Sequence, residues 1–468
     1  AMPGRVLRIQ TTPIPLSGGT LTGISGVPGI VAAGAPGRRA SLLVPRTGEW
    51  SAVVEAKGPR TVKAAVTLSL PVQAPVDREV LDDDGAPEEE DIVGGTVMVR
   101  LREGADEDEF EQNHGGETEG ELLDLEWFEV TVPEGMEAEE FLESLGLDDD
   151  VIEKEPVLLS ESPEGEQSNV AFTASDATKT DVNTQDGFAL AGVLQAQALA
   201  SGSGIKVAIV DSGLLPGGHP DLAGKVLAGW DFVDGDADPV DAADGVDNDL
   251  DGLTDEGVGH GTFIAGIVAA VAPEARILPV RVLDSDARGS SLRVAKGIVW
   301  AVEAGARIIN LSIGVRRKSG VIQDALQVAR DRGVLVVVSA GNAGMNGTLA
   351  FPGGLSDVVT VTAVDGNGVR PSFANVSSKV DLAAPGVDVL APFGGSGYAR
   401  WSGTSFAAPF ASAGAALVLS RAPAMDATDA GKVLVDTAVP VDAVNPGLGG
   451  SLGKGRVNLP GAVGATKP

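Results

Sequence analysis

Only three histidines occur in this chain of 468 residues, so an imidazole acting as a general base must belong to His114, His219 or His260. His260 stands in Gly259-His260-Gly261-Thr262, entering an apolar stretch from Phe263 to Ala270 that reads as a helix. Asp211 comes after the apolar run Val207-Ala208-Ile209-Val210 and leads into Ser212-Gly213. Ser405 lies in Gly403-Thr404-Ser405-Phe406-Ala407-Ala408-Pro409, at the start of a small-residue segment that reads as a helix to about Ser420. A serine there meets the free N–H groups and positive dipole end of a helix, which favour a developing oxyanion. Carboxylate, imidazole and hydroxyl together supply what nucleophilic attack on a carbonyl requires. Singly, each has an ordinary alternative: the serine as an N-cap, the aspartate as a turn residue, the glycine-flanked histidine as a structural group.

The elements that must position these groups are legible as short, continuously apolar runs: Val207–Val210, Ile277-Leu278-Pro279-Val280, Ile308-Ile309-Asn310-Leu311 and Val334 to Val338. Helical segments separate them, the pattern of a parallel sheet covered on both faces. In such sheets active residues gather beyond the carboxyl ends of the strands. Polar residues stand at those ends here: Asp211 after Val210, Ser312-Ile313-Gly314 after Leu311, and Ser339-Ala340-Gly341-Asn342 after Val338.

The motifs VAIVDSG, HPDL, GHGTFIAG, NLSIG, SAGNAG, DLAAPG and GTSFAAP, in that order over about residues 200–460, resemble the catalytic domain of the subtilisin-like serine peptidases. The resemblance implies an α/β catalytic domain with a doubly wound parallel sheet. It implies a triad of Asp211, His260 and Ser405, with Asn342 as an oxyanion-hole amide beside the backbone N–H of Ser405. Ser312, Ile313 and Gly314 match the strand that pairs with an extended substrate, and Ala340 and Gly341 match the lining of the pocket for the residue before the cut. Their small, uncharged character points to an apolar or permissive preference there. His219, in HPDL, reads as structural. Phe406 departs from the family, which often has Met after the nucleophile.

A second departure lies between Asp211 and His260. Asp247-Asn248-Asp249-Leu250-Asp251-Gly252-Leu253-Thr254-Asp255-Glu256 sets carboxylates at alternate positions around a glycine, similar to Ca²⁺ loops. Asp247, Asp249, Asp251 and Asp255 are the candidate ligands for a structural Ca²⁺. The EF-hand pattern is incomplete, with Val258 at its twelfth position, and a plain acidic loop is the alternative reading.

Upstream, residues 1–76 hold short alternating runs broken by Gly and Pro, expected to form a small β-sandwich. An acidic, Pro-containing linker is expected over 77–94. From Gly95 the chain reads as strand, helix, strand, helix and strand, a ferredoxin-like α+β unit within 95–168. It stands where the family carries a pro-domain, which implies an intramolecular inhibitor cut off within about Ser160 to Thr173. His114, inside it, reads as a surface histidine, with a pH-sensing role as the sharper alternative. Residues 169–468 complete the catalytic domain.

The net charge of −32 falls almost wholly between residues 77 and 166, which argues against salt adaptation of the whole protein. No basic stripe invites nucleic acid, and no apolar run reaches the ~20 residues of a membrane span. Cysteine is absent, so sulfur chemistry does not reveal the compartment. A monomeric, secreted peptidase acting on protein or peptide substrates is expected from the family. The rival classes are a silent binding protein on the same scaffold, an esterase, which would show Gly-x-Ser-x-Gly and the order Ser-Asp-His, and a targeting function centred on residues 1–76.

Overall fold

In the computed structural model the chain divides into two units, Ala1–Asp82 and Asp83–Pro468. The described residues are 92–102, 105, 107–121, 125–148, 150–162, 171–174, 176–247 and 254–466, with the backbone of five strands nearer the N-terminus. Those five are β1 (Val6–Arg8), β2 (Thr20–Ser25), β3 (Ser41–Leu43), β4 (Glu49–Lys57) and β5 (Val62–Ser69). They form an antiparallel β1–β3 pair and an antiparallel β2–β4–β5 sheet. Whether these face each other as a sandwich turns on side chains outside the described residues.

The second unit opens with β6 (Ile92–Leu101), α1 (Glu107–His114), β7 (Thr118–Glu121), β8 (Trp127–Thr131), α2 (Ala138–Ser144) and β9 (Val151–Glu161). β6 begins within the stretch read as linker, at Ile92. β7 was not expected, because Thr-Glu-Gly-Glu carries no apolar residue to mark a strand. The sheet runs β9–β6–β8–β7, and its side chains alternate as a strand's geometry requires. Val97, Val99 and Leu101 of β6 face α1 and α2, packing with Phe110, Phe128, Val130, Phe141 and Leu145. Met98, Trp127 and Val157 point the other way, into a cluster shared with the rest of the unit.

The remaining chain supplies β10 (Phe172–Thr173), α3 (Lys179–Thr184), α4 (Asp186–Ala191), α5 (Val193–Gln197), β11 (Lys206–Asp211), β12 (Trp230–Asp231) and α6 (His260–Val271). Then come β13 (Arg276–Arg281), β14 (Arg288–Ser290), α7 (Ser291–Glu303), β15 (Ile308–Leu311), β16 (Gly314–Val315), α8 (Gly320–Asp331) and β17 (Leu335–Ser339). The chain closes with β18 (Val358–Val364), β19 (Leu382–Pro385), β20 (Val389–Pro392), β21 (Tyr398–Trp401), α9 (Thr404–Arg421), α10 (Ala427–Asp436) and α11 (Leu459–Ala465).

Seven strands make one parallel sheet in the order β12–β13–β11–β15–β17–β18–β19. β11 shows how it is covered on both faces: Val207 and Ile209 pack with Phe263 of α6 and Ala411 of α9, whereas Ala208 and Val210 pack with Ile298 of α7 and Ile322 of α8. The expected doubly wound α/β sheet is therefore present. All but the last two residues of α9 are buried, which is why its sequence is nearly all small and apolar. Among the described residues no helix is long and apolar enough to cross a membrane.

β9 belongs to both halves of this unit. Its last residues pair antiparallel with β14 (Leu159 with Ser290, Ser160 with Gly289, Glu161 with Arg288) and also with β16 (Ser160 with Val315, Glu161 with Gly314).

Candidate active site

Asp211 and His260 meet at the carboxyl edge of the parallel sheet, Ser405 opens a helix, and all three are fully buried. Asp211 ends β11, His260 begins α6, and Ser405 is the second residue of α9. His260 Nδ1 lies 2.7 Å from Asp211 Oδ1, which also accepts the Ser212 N–H at 2.8 Å. Asp211 Oδ2 is buried with no hydrogen-bond donor. Gly261 allows the close approach of α6 to the end of β11, since a Cβ there would stand 2.3 Å from the Gly213 carbonyl oxygen.

A shell of aromatic rings encloses the imidazole. Trp401 meets His260 edge-on at 5.5 Å, Phe406 lies 5.4 Å away, and Phe263 packs on both. Phe406 thus takes its place by packing, adding apolar bulk beside the imidazole without a polar atom.

Pro409 has no N–H to offer the Ser405 carbonyl four residues earlier. Ser312 Oγ donates to that carbonyl instead, at 2.9 Å. Ser312 Oγ in turn accepts from Asn310 Nδ2 at 2.9 Å, and Ser412 Oγ donates to Asn310 Oδ1 at 2.8 Å. This buried polar chain ties β15 to α9 and fixes the backbone of Ser405. Sequence reasoning assigned Ser312 to substrate pairing and overlooked its side chain; the proline four residues past the serine was the available signal.

Asn342 lies at the mouth of β17. Its Oδ1 accepts from the Thr404 N–H and from Thr404 Oγ1, each at 2.9 Å, and the Gly341 N–H donates to Thr404 Oγ1 at 3.0 Å. The loop is held from below by Asn375, whose Nδ2 donates to the Ala340 carbonyl and whose Oδ1 accepts from the Met345 N–H. Gly341 has φ 98° and no room for a Cβ, which would sit 2.5 Å from Asn375 Nδ2. Ala350, absent from the sequence-based expectations, lies between the two glycines: a Cβ on Gly314 or Gly341 would approach its methyl to 2.7 or 3.2 Å. Ile313 buries its side chain in the core, and Gly314 alone of the three expected pairing residues lies in β16.

His219 caps a short turn, its Nδ1 accepting from the Asp221 N–H at 3.1 Å, in keeping with a structural group. His114 Nε2 pairs with Asp148 Oδ2 at 2.6 Å beneath Phe110, so it is a buried-edge contact and not a bare surface side chain.

Of the four expected Ca²⁺ ligands, Asp249 and Asp251 lie outside the described residues. Asp255 turns its carboxylate onto the backbone N–H groups of Asp244 and Gly245, and Asp247 is half-buried. Among the described residues no three acidic or histidine side chains converge as a metal site. Asp255 still has lone pairs to spare, so the described part of the loop is compatible with a cation without defining one.

Asp241 was not anticipated. Fully buried, it accepts from Ser212 Oγ and from the Gly259 N–H, both at 2.7 Å, and Ser212 Oγ also accepts from the Gly261 N–H at 3.0 Å. It thereby links the residue after Asp211 to both neighbours of His260. Burial pushes its carboxyl up to about 7, and the nearby Asp211 adds to that, against the pull of its two donors.

Comparison with known proteins identifies the family. The model of the subtilase family, Peptidase_S8, matches residues 202–455. Thermitase of Thermoactinomyces vulgaris is 40% identical over 279 residues, 58% of this chain and 92% of that protein. Subtilisin BL of Lederbergia lenta is 35% identical over 254 residues, 52% of this chain and 87% of that protein. Fervidolysin from Fervidobacterium pennivorans, a keratinolytic enzyme related to subtilisin, superposes with a TM-score of 0.67 at 25% identity, covering 82% of this chain and 63% of its own.

The raised Asp241 group gives a signed pH dependence. Its folded form holds a proton that the unfolded chain releases above about pH 4, so folding is progressively penalised as pH rises from about 4 to 7. Asp241→Asn keeps one acceptor oxygen and removes the charge. In a Ser405→Ala background its melting temperature relative to the parent should rise between pH 5 and pH 8, by the equivalent of about 3 kcal/mol at most. A difference that stays flat with pH would contradict this.

Proposed function

This chain belongs to the subtilase family and is a serine endopeptidase, and we propose that Asp211, His260 and Ser405 are its catalytic triad, assisted by Asn342, and that it is made as a self-inhibited precursor. The observation that carries the triad is the buried 2.7 Å contact of His260 Nδ1 with Asp211, at the sheet edge where α9 presents Ser405. In this reading His260 Nε2 removes the Ser405 hydroxyl proton as Oγ attacks the peptide carbonyl. Asp211 holds the ring in the required tautomer and stabilises the imidazolium. The oxyanion is met by the Ser405 N–H and the Asn342 side-chain amide, whose oxygen is anchored on Thr404. His260 returns the proton to the departing amine, leaving an acyl-enzyme that water hydrolyses by the same steps in reverse order.

The precursor reading rests on β9. A substrate strand must pair with backbone that reads no side chains; Ser160 and Glu161 pair on both edges and Leu159 on one, with the Ser162 N–H adding a bond to the Ala287 carbonyl at 3.1 Å. Residues 95–168 would thus act as an intramolecular inhibitor on a ferredoxin-like frame. Further contacts hold this frame down. Glu155 sets its carboxylate on the N-terminus of α8, accepting from Ser319 Oγ and the N–H groups of Gly320 and Val321. Asp324 accepts from Arg100 and from Trp127 Nε1, and Lys296 pairs with Glu129. Every group the mechanism needs lies in one chain, which suits a monomer. A peptidase made with its inhibitor attached also suits secretion, and a cell-bound product in fractionated cultures would count against that part.

Incubated protein should lose mass by self-cleavage, with a new N-terminus after Ser162 and before Phe172, and should then digest casein. Ser405→Ala should stay intact and inert. Equal masses for the two, with neither cleaving casein, would overturn the assignment.

The loop before His260 is proposed to bind a structural Ca²⁺ through donors among Asp247, Asp249, Asp251 and Asp255. Its support is the alternation of carboxylates, which repel one another unless a cation neutralises them. In Ser405→Ala protein, EDTA should lower the melting temperature and added Ca²⁺ should restore it; an unchanged curve would remove the claim.

A further inference from the structure

The register of β9 assigns more than occupancy of the cleft. Glu161 is the residue flanked by Gly314 on one side and Arg288 on the other. Across that second pairing the side chains also meet: Arg288 donates to Glu161 Oε1 through its NH2 group at 3.2 Å and through Nε at 3.4 Å. The pair is largely shielded, with the Glu161 side chain 15% exposed and that of Arg288 28%. The neighbouring acids are turned onto backbone. Asp284 accepts the backbone N–H groups of Arg288 and Asp286, and Asp286 accepts that of Asp255.

The antiparallel register also locates this contact relative to the bond that is cut. Gly314 faces Glu161, so the position opposite Ser312 is two residues further along a bound strand. Ser312 is where the nucleophile reaches, since Ser405 Oγ lies 3.4 Å from its carbonyl oxygen. A strand bound as β9 is bound therefore presents to Arg288 the third residue before the scissile bond.

Resting on the precursor reading above, we propose that Arg288 is a specificity-determining residue that selects substrates with Glu or Asp at the third position before the cut. Glu161 is the built-in example of that ligand. The pocket for the residue just before the cut, with Ala340, Gly341 and Ala350, offers no charge, so the charged discrimination falls on β14. A guanidinium with two N–H donors on one carboxylate is a specific arrangement that an amide reproduces weakly and an ammonium opposes.

The test uses processed enzyme and internally quenched peptides identical except for Glu, Gln or Lys at the third position before the cut, with the cleaved bond checked by mass. The expected order of kcat/KM is Glu over Gln over Lys, with about a fivefold advantage of Glu over Gln, modest because the pair is partly solvated. Arg288→Ala should bring the three together, Arg288→Lys should keep the order, and Arg288→Glu should favour Lys. Equal rates in the parent enzyme, or a preference that survives Arg288→Ala, would overturn the assignment while leaving the peptidase reading intact. Failure to cleave any of the peptides or casein would instead take down the catalytic reading beneath it.

Discussion

The hydrogen bond between His260 and Asp211 is the constraint around which the rest of this unit is organised. It joins the end of the interior strand β11 to the first residue of α6, away from solvent, where a charged carboxylate is costly unless it is used. Keeping that pair in place demands a close approach between β11 and α6, which Gly261 permits and which the Ser212 and Asp241 contacts reinforce. The third partner must then arrive from a different helix. α9 delivers it through the middle of the core, and the Ser412–Asn310–Ser312 chain fixes the one carbonyl that Pro409 leaves without a helical donor.

In the proposed precursor, the same sheet edge is what lets one strand silence the site. β14 and β16 form the two walls of a slot, each pairing through its backbone with the strand between them, and a strand edge left unpaired recruits another strand. β9 fills it and carries a whole folded layer with it, whose Met98, Trp127 and Val157 share a core with α7 and α8. In the proposed precursor, inhibition has one physical cause: the layer buries faces of α7 and α8 while its tail pairs with β14 and β16. Glu155 strengthens this where the α8 N-terminus would otherwise present bare N–H groups, although burial pushes its carboxyl up from the ordinary range.

Much of this was legible in the sequence, and the reasons differ from part to part. The parallel strands announce themselves because burial on both faces leaves no polar alternation to blur them. Asp211 stands out because it directly follows such a strand, whereas His260 and Ser405 open helices and become legible only together with the motifs around them. β7 stayed hidden because a strand paired on a solvated edge has no need of apolar residues. Asp241 was invisible for another reason: it meets Ser212 from 29 positions further along the chain, beside an acidic stretch that reads as a solvated loop. The Glu161–Arg288 pair depends on a register that only the folded arrangement sets.

The most direct measurement of the central claim is covalent labelling with a serine-directed phosphonylating reagent, followed by mapping of the modified peptide. A single adduct on Ser405 is predicted, growing in as the 95–168 segment is released, absent while it remains in place, and lost with His260→Ala. An adduct on another serine, or none on the processed chain, would contradict the triad.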